Sequence, residues 1–207
     1  MWNDTTRDAK LVAETVSDVD ARILLYQARA NLELFVHASQ LLQQALDKTN
    51  FHNFAQHVSG HMTEGLFGAD KHFAEMEAWK QRTTGFLLAV LSAGHRFWRC
   101  LVGARSRDRG RDWGSLRAEL NLLERQYHRA RNFMEHLDEA ITRGDASAGL
   151  DATFSRDGVL TCHEPEEPTF TFDFSADTLA SVSASYQKVM EMLEARKTGP
   201  PGAAPES

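Results

Sequence analysis

Ser115-Leu116-Arg117-Ala118-Glu119-Leu120-Asn121-Leu122-Leu123-Glu124-Arg125-Gln126-Tyr127-His128-Arg129-Ala130-Arg131-Asn132-Phe133-Met134-Glu135-His136-Leu137-Asp138-Glu139-Ala140-Ile141 decides the fold. Within it Leu116, Leu120, Leu123, Tyr127, Ala130, Met134, Leu137 and Ile141 recur in strict steps of four and three. That spacing puts one apolar seam along an α-helix and is incompatible with the two-residue period of a strand. Asp112 or Ser115 can cap the start, and Arg143-Gly144 supplies a basic last turn and a glycine stop. The spacing predicts a long helix over 115–143 that buries one face.

The same period extends upstream. Phe73, Met76, Thr83, Leu87, Val90, Phe97 and Leu101 trace one face, widened by Trp79, Phe86, Leu91 and Trp98, so 69–102 reads as a central helix. Leu25, Ala28, Leu32, Phe35, Leu42 and Leu46 predict another over 20–47, led in by a shorter helix over 7–19. Between them Thr49-Asn50 breaks the pattern, and the His-rich stretch to Gly68 suggests short turns. Downstream of Gly144 the period changes to two. Thr153-Phe154-Ser155, Asp157-Gly158 and Val159-Leu160-Thr161-Cys162 predict a hairpin with a primed turn, and Thr169 to Phe174 alternates like a third strand. Ser175 can cap a last helix with Leu179, Val182, Tyr186, Val189 and Leu193 on one face. The fold class is therefore mainly all-α: a bundle of long antiparallel helices with a small β-hairpin or three-strand insertion before the C-terminal helix. We read 1–197 as a single domain, with the β region at 145–174 inside it and a disordered tail over 198–207 that contains Gly199-Pro200-Pro201-Gly202.

Composition excludes several classes. The 207 residues are 42% hydrophobic and 25% charged, ordinary for a globular chain and unlike a fibrous or wholly disordered one. The longest apolar run, Gly85 to Gly94, is well short of the ~20 residues a membrane span needs, so no membrane partner is expected. Met1 to Asp8 mixes acids with Arg and lacks a secretory apolar stretch, which leads us to expect a cytoplasmic protein. Cys100 and Cys162 fall in different element types and define neither a disulfide framework nor a zinc site, so both should be reduced thiols.

Net charge is −6, from 23 basic and 29 acidic residues, which argues against bulk attraction to nucleic acid. The average hides a polarity: Arg96 to Arg131 holds ten of the seventeen arginines against four acids and no lysine. Guanidinium forks match phosphate oxygens, so Arg105, Arg107, Arg109 and Arg111 are candidate substrate-binding residues flanking a phosphate site. A solvated loop with its own counterions, Asp108 and Asp112, fits the same residues.

The polar side of the 115–143 helix offers Arg131, Asn132 and His136 beside Glu124, Arg125, His128, Glu135 and Glu139. A guanidinium for nonbridging oxygens, an amide to orient a phosphate and an imidazole for proton transfer are what phosphodiester cleavage requires. An ordinary solvated helix face with ion pairs four residues apart uses the same residue types. Arg131 and His136 differ by about 140° around the axis, so one helix does not converge them on one phosphate.

Arg131, Asn132 and His136 resemble the motif of the HEPN superfamily (higher eukaryotes and prokaryotes nucleotide-binding domains): Arg, four to six residues, then His, usually with Asn, Asp or His after the Arg. The resemblance extends in architecture over 20–143, with the motif on a late long helix. Ala130 to Glu139 also looks like the form found in bacterial HEPN-like proteins. It implies a metal-independent endoribonuclease without a cofactor, acting at a cleft between two protomers, where the ribose 2′-hydroxyl attacks the adjacent phosphate. Arg131 would then stabilise the phosphorane, His136 would transfer a proton and Asn132 would position the phosphate. Implied partners are RNA, a second copy of the chain and, in a toxin–antitoxin or defence setting, an antitoxin or other partner protein. A noncatalytic HEPN-like dimer that binds a partner or nucleotide is the alternative.

His57, His61 and Glu64 share one helical face at i, i+4 and i+7, a workable first shell for zinc or iron, so a metal-binding bundle is a further alternative. No GxSxG elbow, Walker loop, dinucleotide glycine pattern or HExxH is present. Cys162 and His163 are adjacent on a predicted strand, where side chains point to opposite faces.

Overall fold

The computed structural model describes residues 5–48, 66–108, 111–143, 151–154, 159–164 and 167–198. Helix α1 spans Thr5–Thr15 and α2 spans Val19–Lys48. Between them Asp18 acts as a cap: its Oδ1 accepts the Ala21 amide at 2.7 Å and its carbonyl the Arg22 amide at 3.1 Å. Helix α3, Leu66–Arg107, is the longest element and packs along α2. A 3₁₀ turn at Arg111–Ser115 leads into α4, Arg117–Arg143. The expected start at Ser115 is thus delayed by two residues. The turn exists because Trp113 folds inward, 3% exposed, and its indole N–H donates to Asp108 Oδ2 at 2.7 Å.

A three-stranded antiparallel sheet follows in the order β1 (Asp151–Phe154), β2 (Val159–Glu164), β3 (Glu167–Asp173). Phe154 pairs with Leu160 and Leu160 with Phe172, so the two-residue period sends Leu160, Cys162 and Phe172 to the buried face. Helix α5, Ala176–Thr198, begins as expected at Ser175, whose Oγ accepts the Thr178 amide at 3.4 Å. The Asp157-Gly158 turn, the His-rich stretch with His57, His61 and Glu64, and the tail beyond Thr198 lie outside the described residues.

One continuous core joins the five described helices to β2 and β3, from Leu11 to Leu193. Tyr127 sits at its centre. The ring lies 4.7 Å from Phe172 of β3, 6.1 Å from Phe35 of α2 and 6.2 Å from Trp98 of α3. It also fills the space above Gly94, where a Cβ would meet its Cε1 at 2.2 Å. Glycine is required at that position so that α3 and α4 can close on the ring. Burial pushes the Tyr127 phenol up in pKa, with Trp98 pulling weakly the other way, so it stays a neutral core group. Among the described residues no helix is long and apolar enough to cross a membrane, and both cysteines are buried thiols.

Candidate functional site

The seam of α4 is consumed by the core, with Leu116, Leu120, Tyr127, Ala130 and Met134 all buried. Phe133 is buried too, against Phe170 of β3 at 5.7 Å, so the sheet covers a flank that the seam alone does not reveal. Next to it the Arg129 guanidinium lies 4.1 Å above the Phe170 ring and donates to the Pro168 carbonyl at 3.2 Å. What remains of α4 is a polar stripe bounded by Arg131 on one side and His136 on the other.

Arg131 is half-buried, its side chain 31% exposed. Its Nε and Nη2 both donate to Glu135 Oε1, at 3.0 and 2.6 Å, one turn further along the same helix. Its Nη1 faces His95 Nδ1 of α3 at 3.4 Å. His95 is the buried member of the group, with a side chain only 4% exposed, and its other nitrogen, Nε2, faces Glu124 Oε1 at 3.4 Å. The His128 ring lies 4.9 Å from the His95 ring, and His128 Nε2 is 3.2 Å from Asn132 Nδ2.

These contacts fix the His95 tautomer. A guanidinium only donates, so His95 Nδ1 must accept and its proton must sit on Nε2, directed at Glu124. Burial is the largest influence on His95 and lowers its pKa; His128 and Arg131 lower it further, against the opposing pull of Glu124. His95 is therefore a neutral imidazole at pH 7.

Of the residues singled out from sequence, Arg131 and Asn132 join this group. His136 does not: it is exposed on the far side of the stripe, with no hydrogen bond or ion pair to any described residue. The two ends of the motif stand apart within one chain, as the 140° separation requires. Sequence reasoning places Glu124 and His128 beside Arg131 on the polar face without giving them a role, and misses His95. The available signal was His95 itself, an imidazole between Leu91 and Trp98, which both lie on the apolar face of α3.

The arginine-rich corner is arranged differently. Arg105 Nη1 donates to Asn121 Oδ1 at 3.2 Å and to the Arg117 carbonyl at 3.3 Å, while Arg107 forms an ion pair with Asp20 of α2. Arg109 and the side chain of Arg111 lie outside the described residues. Asp108 and Asp112, expected as counterions of these arginines, both pair with Arg196 of α5 instead. Burial pushes the Asp112 carboxyl up, but the hydrogen bond and charge of Arg196 outweigh it and hold it below the usual range.

Among the described residues no three His, Cys, Asp or Glu side chains are placed to hold a metal ion. No protein-family model, no curated protein and no solved structure matches this chain.

Proposed function

We propose that the chain is a metal-independent endoribonuclease of HEPN type that works as a homodimer, with Arg131, Asn132 and His136 of two protomers around one cleft. One observation carries the reading. A guanidinium, an amide and an imidazole with no partner among the described residues project from the face of α4 that the described core and sheet leave open. In this reading Arg131 meets the charge that develops on the phosphorane, Asn132 orients the phosphate, and His136 of the partner subunit moves the proton. A two-fold axis supplies the second imidazole that one helix does not bring round.

The test is incubation of purified protein with labelled RNA in EDTA. Cleavage to 2′,3′-cyclic phosphate and 5′-hydroxyl ends is the expected result. Both Arg131→Ala and His136→Ala should reduce the rate by roughly two orders of magnitude or more. A protein that stays monomeric at micromolar concentration in light scattering, or a His136→Ala variant as active as the parent, overturns the reading.

The noncatalytic dimer is favoured by a different observation: Arg131 is already paired with Glu135, and Arg105 and Arg107 are committed within the chain. For that reading the same incubation leaves RNA intact, while a bound nucleotide or partner shifts the Arg131 side-chain resonance.

A further inference from the structure

His95 reaches neither solvent nor the seam, yet it touches the guanidinium on which the site turns. We propose that His95 is the positioning residue of this site: held on Glu124, it accepts from Arg131 and keeps the guanidinium set for a phosphoryl oxyanion, and a proton on His95 releases that hold. The inference rests on the ribonuclease reading only for the identity of the anion as an RNA phosphodiester.

The donor count supports it. A guanidinium has five N–H groups. Two are taken by Glu135 and one by His95, which leaves one on each terminal nitrogen of a side chain that is 31% exposed. Two parallel donors are the bidentate arrangement that phosphate oxygens accept. Glu135 alone would leave Arg131 free to pivot about the Nε–Nη2 edge; His95 removes that freedom from the opposite side. Ordering of this kind strengthens binding because the cost of fixing a long side chain is met before the anion arrives.

The hold depends on a single lone pair. Protonated imidazole is a donor at both nitrogens, so an Nδ1–H would confront the Arg131 Nη1–H groups across the same 3.4 Å, charge against charge. Among the described residues the charged and titratable groups facing His95 are Glu124, His128 and Arg131, all from α4. Burial, His128 and Arg131 oppose the proton, and only Glu124 favours it, so the accepting form prevails at neutrality and gives way in acid.

The experiment is side-chain nitrogen NMR on the full chain, with a 2′-deoxy dinucleotide as an uncleavable phosphodiester. Wild type should show His95 as the neutral Nε2–H tautomer at pH 7. The Arg131 resonance should respond to the dinucleotide, with affinity falling as pH drops through the His95 titration. His95→Leu should bind roughly tenfold more weakly, a change of about 1.4 kcal/mol, with no acid-side loss of its own. His95→Asn, whose amide oxygen can accept near the Nδ1 position, should recover most of the affinity. Should His95→Leu fail to fold, the asparagine variant and the wild-type spectra decide alone. An Nδ1–H tautomer at pH 7, an Arg131 resonance indifferent to the dinucleotide, or a His95→Leu protein with wild-type affinity and pH profile overturns the inference. Cleavage is not needed for any of these readouts. A protein inert toward RNA but with His95-dependent binding removes the nuclease reading and keeps this one; RNA cleavage with no His95 dependence does the reverse.

Discussion

The two faces of α4 are built from one run of sequence and obey different rules. On the core side Tyr127 is buried among Gly94, Phe172, Phe35 and Trp98. On the polar side Arg131, Asn132 and His136 hang from the same backbone, held by three directional contacts, by one, and by none among the described residues. Apolar packing is short-ranged and volume-limited, so the core face tolerates no added atom. The polar face is set by protonation and hydrogen-bond direction, which respond to solvent conditions. The first face fixes where α4 lies; the second is left to do chemistry because it is not needed for that.

The sharpest way to break the comparison is Gly94→Ala. A methyl group 2.2 Å from Tyr127 Cε1 and 2.5 Å from Cδ1 has to displace a ring that its neighbours pin. We expect a loss of about 1–3 kcal/mol or somewhat more, read from the denaturant midpoint; an unshifted midpoint would show that the ring has room to move. The second test is pH. Because His95 titrates below its usual value in the folded chain, the unfolded chain takes up the proton first. Its linkage therefore costs nothing above about pH 6.5, and stability falls as pH drops below that. Urea midpoints at pH 7 and pH 5.5 should differ more for wild type than for His95→Leu, and equal differences would remove His95 as the source.

Gly85→Ala sharpens the first result. It is the same substitution on the same helix, but nothing lies within 4 Å of the added Cβ. Helix propensity alone should act, and we expect a gain of roughly 0.5–1 kcal/mol in the denaturant midpoint. The smallest stability effect belongs to His136→Ala, within about 0.5 kcal/mol by the same measurement, because the ring is exposed on the polar side. A large loss there would mean that His136 is packed and that the two faces are not independent.

Most of the fold was legible because its elements announce themselves locally. The helix expected over 20–47 runs from Val19 to Lys48, and that over 69–102 from Leu66 to Arg107. The strands flank the Asp157-Gly158 signal with Phe154 opposite Leu160. The site was legible only in part, for a physical reason. Arg131 and Asn132 are visible as residue types on one helix, but His95 of α3 meets Arg131 and Glu124 only through the packing of α3 against α4. Gly94 and Tyr127 meet at the same α3–α4 contact, and no period within either helix encodes that meeting. Trp113 is a second instance: its inward turn answers to Asp108 and Arg196, which lie on opposite sides of it in the chain.

The clasp of Arg196 on Asp108 and Asp112 has a consequence for how the protein is made. α5 also ties back to α1 through the Lys197–Glu14 pair at 2.7 Å, and Arg7 reaches Glu194. The last turn of the last helix thus fastens both the first helix and the corner that launches α4. On a translating ribosome, α1 to α4 emerge and coil as helices while the groove for Val182, Tyr186, Val189 and Leu193 stays open to water. Closure waits for residues near 196 to clear the exit tunnel. Until then the apolar positions of α1 to α4 that α5 covers have no cover.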